Sequence, residues 1–453
     1  MSLETTKQRQ LAAPAAARAF TAAHGVLDGA WVDAPYLEVD AAGTIVRAQT
    51  GLPSAPDRDR APIPVHDLGR AVLLPGLINA HSHAFQRSIR GATHRAAAGD
   101  PSTFWSWRQA MYSAAQRLGP DGLYAVTRAC FSEMLRAGIT CVGEFHYLHH
   151  RPDGGLYDDP NELSNQIIRA ADDVGLRLVL LEVFYQRAGD RRPPLPEQRR
   201  FCDPSLDVYL ARVDALRARG VDVGVAPHSV RAVARPQLEQ LADYAARAGL
   251  VMHAHVSEQP LENHECAAEH GGLTPTQVFA ASGCLDRPRS FSAVHAIHVD
   301  AADLALLAAQ HVCACPTTEA DLGDGIVPAA DHLTRGARIA LGSDSNAIID
   351  LFQEARLLEM NERLRSGRRL CLSAAERPLS LTLLDAATVA GASALGRADL
   401  GKLAVGAPFD AITLDRDHPT LADVASEHLL DAIMLAGSAA PVDRVYVAGH
   451  RRR

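Results

Sequence analysis

The amino-acid sequence predicts an α/β protein: a TIM-type (β/α)8 barrel with a small β-sandwich built from both termini. Three observations carry this expectation. Strand-like apolar runs alternate with amphipathic helical stretches through the middle of the chain, the pattern of a parallel sheet with helical crossovers. Eight such units can be traced in the sequence, the number that closes a parallel barrel. The polar clusters fall at the C-terminal ends of the strand-like runs, where barrel enzymes carry their chemistry.

Taken in order, residues 20–72 hold short candidate strands, in WVDAPYLEVD, GTIVRAQ and AVLL, broken at short intervals by Gly, Pro and Asp. The stretch AVLLPGLINAHSHAFQRSIR, residues 71–90, passes through a Pro75-Gly76 turn into INAHSH, the first barrel strand. ITCVGEFHYL follows the helical stretch YAVTRACFSEMLRAG, and LRLVLLEVFY follows ELSNQIIRAADDVG. VDVGVAPHS, LVMHAHVSE, FSAVHAIH, VCACPTT and RIALGSDS complete the series, each behind an amphipathic segment. FDAITLD, AIMLAGS and VDRVYVAG then close the chain as β segments that mirror its start. The expected division is 1–72 and 403–453 for the two parts of the sandwich, with 73–402 as the barrel.

The 453 residues are 47% hydrophobic and 22% charged, a globular composition, and the length alone suits two or three domains. A formal net charge of −8 gives no basis for binding nucleic acid or an anionic membrane. No apolar window reaches the ~18 residues of a membrane-spanning helix. The start, MSLETTKQRQLAAPAAARAF, lacks a basic stretch followed by an apolar core, so no secretory signal is expected. The eight cysteines follow neither a disulfide nor a zinc-finger rhythm. Free thiols and a reducing, cytoplasmic compartment are therefore expected.

The chemistry begins at His81 and His83. Side chains at i and i+2 of a strand point to the same face, so two imidazoles there can grip one metal ion. With 20 histidines in the chain an HxH alone is weak evidence. Further candidate residues, however, follow in strand order: His255 in VMHAHVSE, with Glu258 three residues on, then His295 in FSAVHAIH and Asp344 in IALGSDS. Three imidazole nitrogens and one carboxylate oxygen suit Zn2+ and leave a position for water, whose pKa zinc lowers toward ~7.

These motifs resemble the amidohydrolase superfamily. Within it HSHAFQR, FWSWR, EFHYLHH, APHSVRAV, HVSEQ, PTTEADLGDG and GSDS together resemble the formimidoylglutamate deiminases of histidine degradation, over residues 70–365. The resemblance implies one zinc ion per subunit, with other divalent ions as the alternative, held by His81, His83, His255 and Asp344. It implies a homodimer and a single small-molecule substrate, N-formimino-L-glutamate. The reaction implied is hydrolysis to N-formyl-L-glutamate and ammonia. A zinc-activated water attacks the formimino carbon, His295 and Asp344 accept its proton, and Glu258 shuttles a proton to the departing nitrogen. Arg231 is then the substrate arginine, suited to a carboxylate by its bidentate fork. Gln86, Arg108, Tyr147 and His228 match the family's other substrate contacts.

Alternatives stand beside this reading. The same residues could serve N-formimino-L-aspartate, and a nucleobase deaminase would share the metal pattern but has no use for paired arginines. A barrel that had lost its metal would be a non-catalytic scaffold, against which the complete ligand set argues. His149 and His150 are expected in a loop beyond their strand, His253 buried beneath the metal, and His298 in a loop or helix start. Asp321 and Asp324 punctuate a Gly-rich turn, and Thr318 or Glu319 is expected to shape the pocket rim.

Overall fold

A computed structural model describes residues 16–53, 63–94, 104–373 and 377–453. The N-terminal segment in which no secretory signal is expected lies outside the described residues up to position 15. Eight strands form one parallel sheet in sequence order: β1 (Leu77–Ser82), β2 (Ile139–His146), β3 (Arg177–Phe184), β4 (Val223–Pro227), β5 (Val251–Val256), β6 (Ser290–His295), β7 (His311–Ala314) and β8 (Arg338–Leu341). The sheet curls until its edges meet. A parallel bridge joins Ser82 to Asp344, where Asp344 N–H donates to His81 O at 3.0 Å and His83 N–H to Asp344 O at 2.9 Å. This is the TIM-type barrel that the alternating pattern predicts. Its strands are buried almost throughout, as expected where helices cover the outer face.

Two further sheets come from the termini. One runs Ile45–Thr50, Pro35–Asp40, Ala16–Thr21, Val65–Asp67; the other runs His450–Arg451, Val442–Val447, Ala411–Leu414, Val72–Pro75, His24–Leu27, Ala30–Asp33. Their shared core joins the two ends of the chain. The Phe20 ring stacks on that of Phe409 with centroids 4.3 Å apart, and Tyr446 meets both edge-on. Such aromatic pairs add about 0.5–1.5 kcal/mol each beyond burial.

The chain passes from the terminal sheet to the barrel at Gly76. A Cβ there would lie 2.3 Å from Thr140 Oγ1. Any side chain would therefore force β1 away from β2, which explains the glycine in the Pro-Gly turn.

Two expectations need correction. WVDAPYLEVD is not one strand: Ala34 takes a φ of +47° and divides Ala30–Asp33 from Pro35–Asp40, which lie in different sheets. AIMLAGS is not β structure, because Leu429–Ala436 is a helix. Its buried positions, Leu429, Leu430, Ile433 and Met434, follow a period near 3.6, and the short apolar run hid that spacing. All eight cysteines are free, with Cys313 and Cys315 buried. Among the described residues no helix is long and apolar enough to cross a membrane.

Candidate metal and substrate site

Strand alternation builds the centre. His81 and His83 turn into the barrel mouth while Ser82, between them, turns away and donates to Glu144 Oε2 on β2 at 2.7 Å. Ala84 N–H donates to the other oxygen of Glu144 at 2.6 Å, so the residues on either side of His83 are tied to the neighbouring strand. His81 Nε2 and His83 Nε2 stand 3.2 Å apart, and Asp344 Oδ1 lies 3.6 and 3.3 Å from them. His255 joins them, and all four residues offer ligand atoms within 4.8 Å of one another. Asp344 reaches this point with a φ of +43°, a strained backbone of the kind that clusters at functional sites. Gly342 allows the approach, since a Cβ there would sit 2.8 Å from His81 Cβ and 2.9 Å from Cys315 Sγ.

The outer nitrogens of two rings are fixed. His83 Nδ1 lies 2.9 Å from Phe145 O, and His255 Nδ1 lies 3.0 Å from His228 O. A carbonyl oxygen only accepts, so Nδ1 carries the proton and Nε2 keeps a lone pair facing the centre. Burial reinforces this by pushing the pKa of His81 and His255 well down and that of His83 to about 4. Burial lifts Asp344 to about 7, with Glu258 and Glu319 adding to the rise and His295 opposing it. Neutral imidazoles beside a carboxylate that burial disfavours make a donor set a divalent cation would satisfy.

Next to this set stand Glu258 and His295. Arg231 Nη2 donates to Glu258 Oε2 at 2.7 Å, while Glu258 Oε1 lies 3.8 Å from His295 Nε2. Burial pushes the Glu258 carboxyl up, but Arg231, His295 and His255 outweigh it and hold it below the usual range. Burial pushes His295 down, but its bond to Glu319 and the charges of Glu258 and Asp344 raise it instead.

A cavity opens onto the centre. His83, Gln86, Arg108, Tyr147, His228, Arg231, His255, Glu258 and Asp344 line it together with Phe104, Trp107, Met111 and Leu322. Every substrate contact expected from the sequence therefore meets in one pocket. Gln86 Nε2 donates to Tyr147 OH at 2.8 Å, leaving Gln86 Oε1 without a partner. Arg108 donates from Nη2 to Tyr185 OH at 3.1 Å and packs its guanidinium 5.5 Å from the Trp105 ring centroid. A larger cavity opens near the start of β8, lined by Ile339, Leu358, Leu383 and Val389, away from these groups.

Several expectations resolve differently. Glu319 is not on the rim; it is buried behind His295, with Oε1 3.2 Å from Nδ1. Thr318 is buried too, its hydroxyl 3.1 Å from that of Ser345. His149 and His150 follow β2 as expected but are buried among Glu182, Asp203 and Arg212, not on an open loop. His253 lies below the centre, its Nε2 2.9 Å from Ala394 O, and His298 sits in a loop facing Asp324 O. Glu262 was not foreseen. It lies in the first turn of the helix Pro260–Glu269 and accepts the Glu258 N–H at 3.0 Å, a spacing of four that the sequence did display.

Comparison with known proteins agrees with this architecture. The family model described as "Amidohydrolase family" matches residues 72–452. The chain is 41% identical over 391 residues to a formimidoylglutamate deiminase of Pseudomonas aeruginosa, covering 84% of each chain. Its fold is similar to that of an amidohydrolase from Brucella melitensis, with a TM-score of 0.85 and 32% identity over 96% of this chain and 94% of that one. It is also similar to an adenosine deaminase from Xanthomonas campestris with bound zinc, with a TM-score of 0.79 and 25% identity over 97% and 93% of the two chains.

Proposed function

The chain belongs to the amidohydrolase family, and from that premise we propose that it is a zinc-dependent deiminase. It converts N-formimino-L-glutamate and water to N-formyl-L-glutamate and ammonia. The observation that carries this reading is a juxtaposition. Two partly buried arginines, Arg108 and Arg231, line the same pocket as His83, His255 and Asp344. A substrate with carboxylates and an amidinium matches such a pocket, whereas a neutral nucleobase leaves unused the charge of Arg108, which meets no carboxylate among the described residues. The 41% identity to a formimidoylglutamate deiminase supports the same substrate class.

His81, His83, His255 and Asp344 would hold the zinc. When bound, it would polarise a water and make it nucleophilic at neutral pH. The chain's own residues do the rest. His295 and Asp344, with Nε2 and Oδ2 3.7 Å apart, are placed to take the proton that the water gives up. Glu258 carries a proton to the leaving nitrogen, so that neutral ammonia departs, and its bond to Arg231 keeps the carboxylate aimed at the pocket. Arg108, Gln86, Tyr147 and His228 orient the glutamyl portion, and the aromatic wall of Phe104 and Trp107 excludes water around it.

Product analysis tests the proposal. The zinc-loaded protein should yield N-formyl-L-glutamate and ammonia from N-formimino-L-glutamate. Release of free glutamate and formamide would mean that the other C–N bond breaks and would overturn the assignment.

A further inference from the structure

We propose that Glu319 is a positioning residue: its carboxylate locks the His295 ring with Nδ1–H turned outward and Nε2 turned to the reacting centre. The inference rests on the proposed function, since it needs His295 to handle a proton during hydrolysis.

Glu319 sits on the short helix Pro316–Leu322 and is 2% exposed. Its Oε1 accepts the Cys315 N–H at 2.8 Å and lies 3.2 Å from His295 Nδ1. An oxygen already accepting from a backbone N–H is the acceptor of its carboxyl group, so the His295 nitrogen facing it is the donor. That fixes the tautomer of the neutral ring and makes Nε2 the nitrogen that takes up or gives up the proton. Nε2 makes no hydrogen bond within the protein. It lies 3.7 Å from Asp344 Oδ2 and 3.8 Å from Glu258 Oε1.

The backbone alone does not supply this orientation. His295 ends β6 with a φ of +70°, and Ala296 follows at +49°. Two successive non-glycine residues in the left-handed region persist only where their surroundings hold them. A carboxylate behind an imidazole is the arrangement that fixes ring orientation in hydrolytic triads, where its loss costs up to ~10⁴-fold in rate.

A rival explanation is that Glu319 only caps its helix through Cys315 N–H, a local device. The two roles separate experimentally. Glu319→Met keeps the side-chain volume but removes both hydrogen bonds. If Glu319 positions His295, this variant loses about a hundredfold or more in kcat, while KM stays within about twofold and the zinc content stays at that of the unaltered protein. Glu319→Gln retains an oxygen for both donors and should recover most of that loss. A helix cap alone would lower Tm and leave kcat within about threefold, which would overturn the proposal.

If Glu319→Met does not fold, 15N NMR of the unaltered protein decides. A protonated His295 Nδ1 supports the proposal, and a bare Nδ1 refutes it. Should the unaltered protein release no ammonia from N-formimino-L-glutamate, the functional reading fails, and the NMR result still judges the Glu319–His295 bond.

Discussion

Arg231 donates to Glu258 Oε2 at 2.7 Å, with its Nε 3.7 Å from Glu262 Oε1. The arginine that the sequence assigns to the substrate is therefore already balanced by two buried carboxylates. Arg108 differs. Among the described residues it meets a phenol and aromatic faces but no carboxylate.

That contrast predicts a kinetic separation between the two arginines. Arg108→Met should raise KM for N-formimino-L-glutamate by about ten- to a hundredfold, the worth of a charged hydrogen bond, with kcat little changed. Arg231→Met should lower kcat as well, because Glu258 loses the partner that aims it. Steady-state kinetics on both variants checks this, and identical profiles would remove the distinction.

Glu258→Gln should retain the metal and lose about 10²–10⁴ in kcat, the usual worth of a positioned acid–base group. The two measurements are metal analysis and turnover on the same sample. Unchanged turnover would assign the proton transfer to another residue.

Chelation should abolish activity, and added zinc should restore it. His83→Asn should weaken metal affinity by removing one inward Nε2 while keeping a polar side chain. Metal titration of the two proteins reads the difference, and equal affinities would place the ion elsewhere.

Much of this site was legible because strand periodicity and chain order are local properties. The inward pair His81 and His83, and the sequence His255, His295, Asp344 at the ends of β5, β6 and β8, follow from spacing alone once a barrel is assumed. The motif resemblance then named Gln86, Arg108, Tyr147, His228 and Arg231, which do share a pocket. What stayed hidden depends on packing between distant segments. Glu319 is expected at the pocket rim until β6 and the helix after β7 are seen side by side. His149 and His150 lie in the loop after β2 as the sequence implies, but their burial stayed hidden because their partners, Glu182, Asp203 and Arg212, lie tens of positions away. AIMLAGS was misread because seven apolar or small residues carry too little periodicity to separate helix from strand.

Acid should destabilise the fold through buried histidines that are not members of the ligand set. Burial, with Arg212 and Arg200 adding to it, lowers His146 to about 3; burial, with Arg338 adding, lowers His311 to about 4. Both stay neutral in the fold while the unfolded chain takes up protons near pH 6.5. Their contribution is fully present above pH 6.5 and is lost as pH falls toward 4, at about 1.4 kcal/mol per unit of separation. Thermal unfolding between pH 7 and 4 should show a falling Tm, and His311→Gln should flatten part of that slope.

The central claim is that this pocket hydrolyses the amidine of a dicarboxylate. Initial rates of ammonia release by the zinc-loaded protein, with N-formimino-L-glutamate, N-formimino-L-aspartate and adenosine side by side, test it most directly. The account predicts the highest kcat/KM for the glutamate compound and no turnover of adenosine. Ammonia from adenosine, with none from either formimino acid, would contradict it.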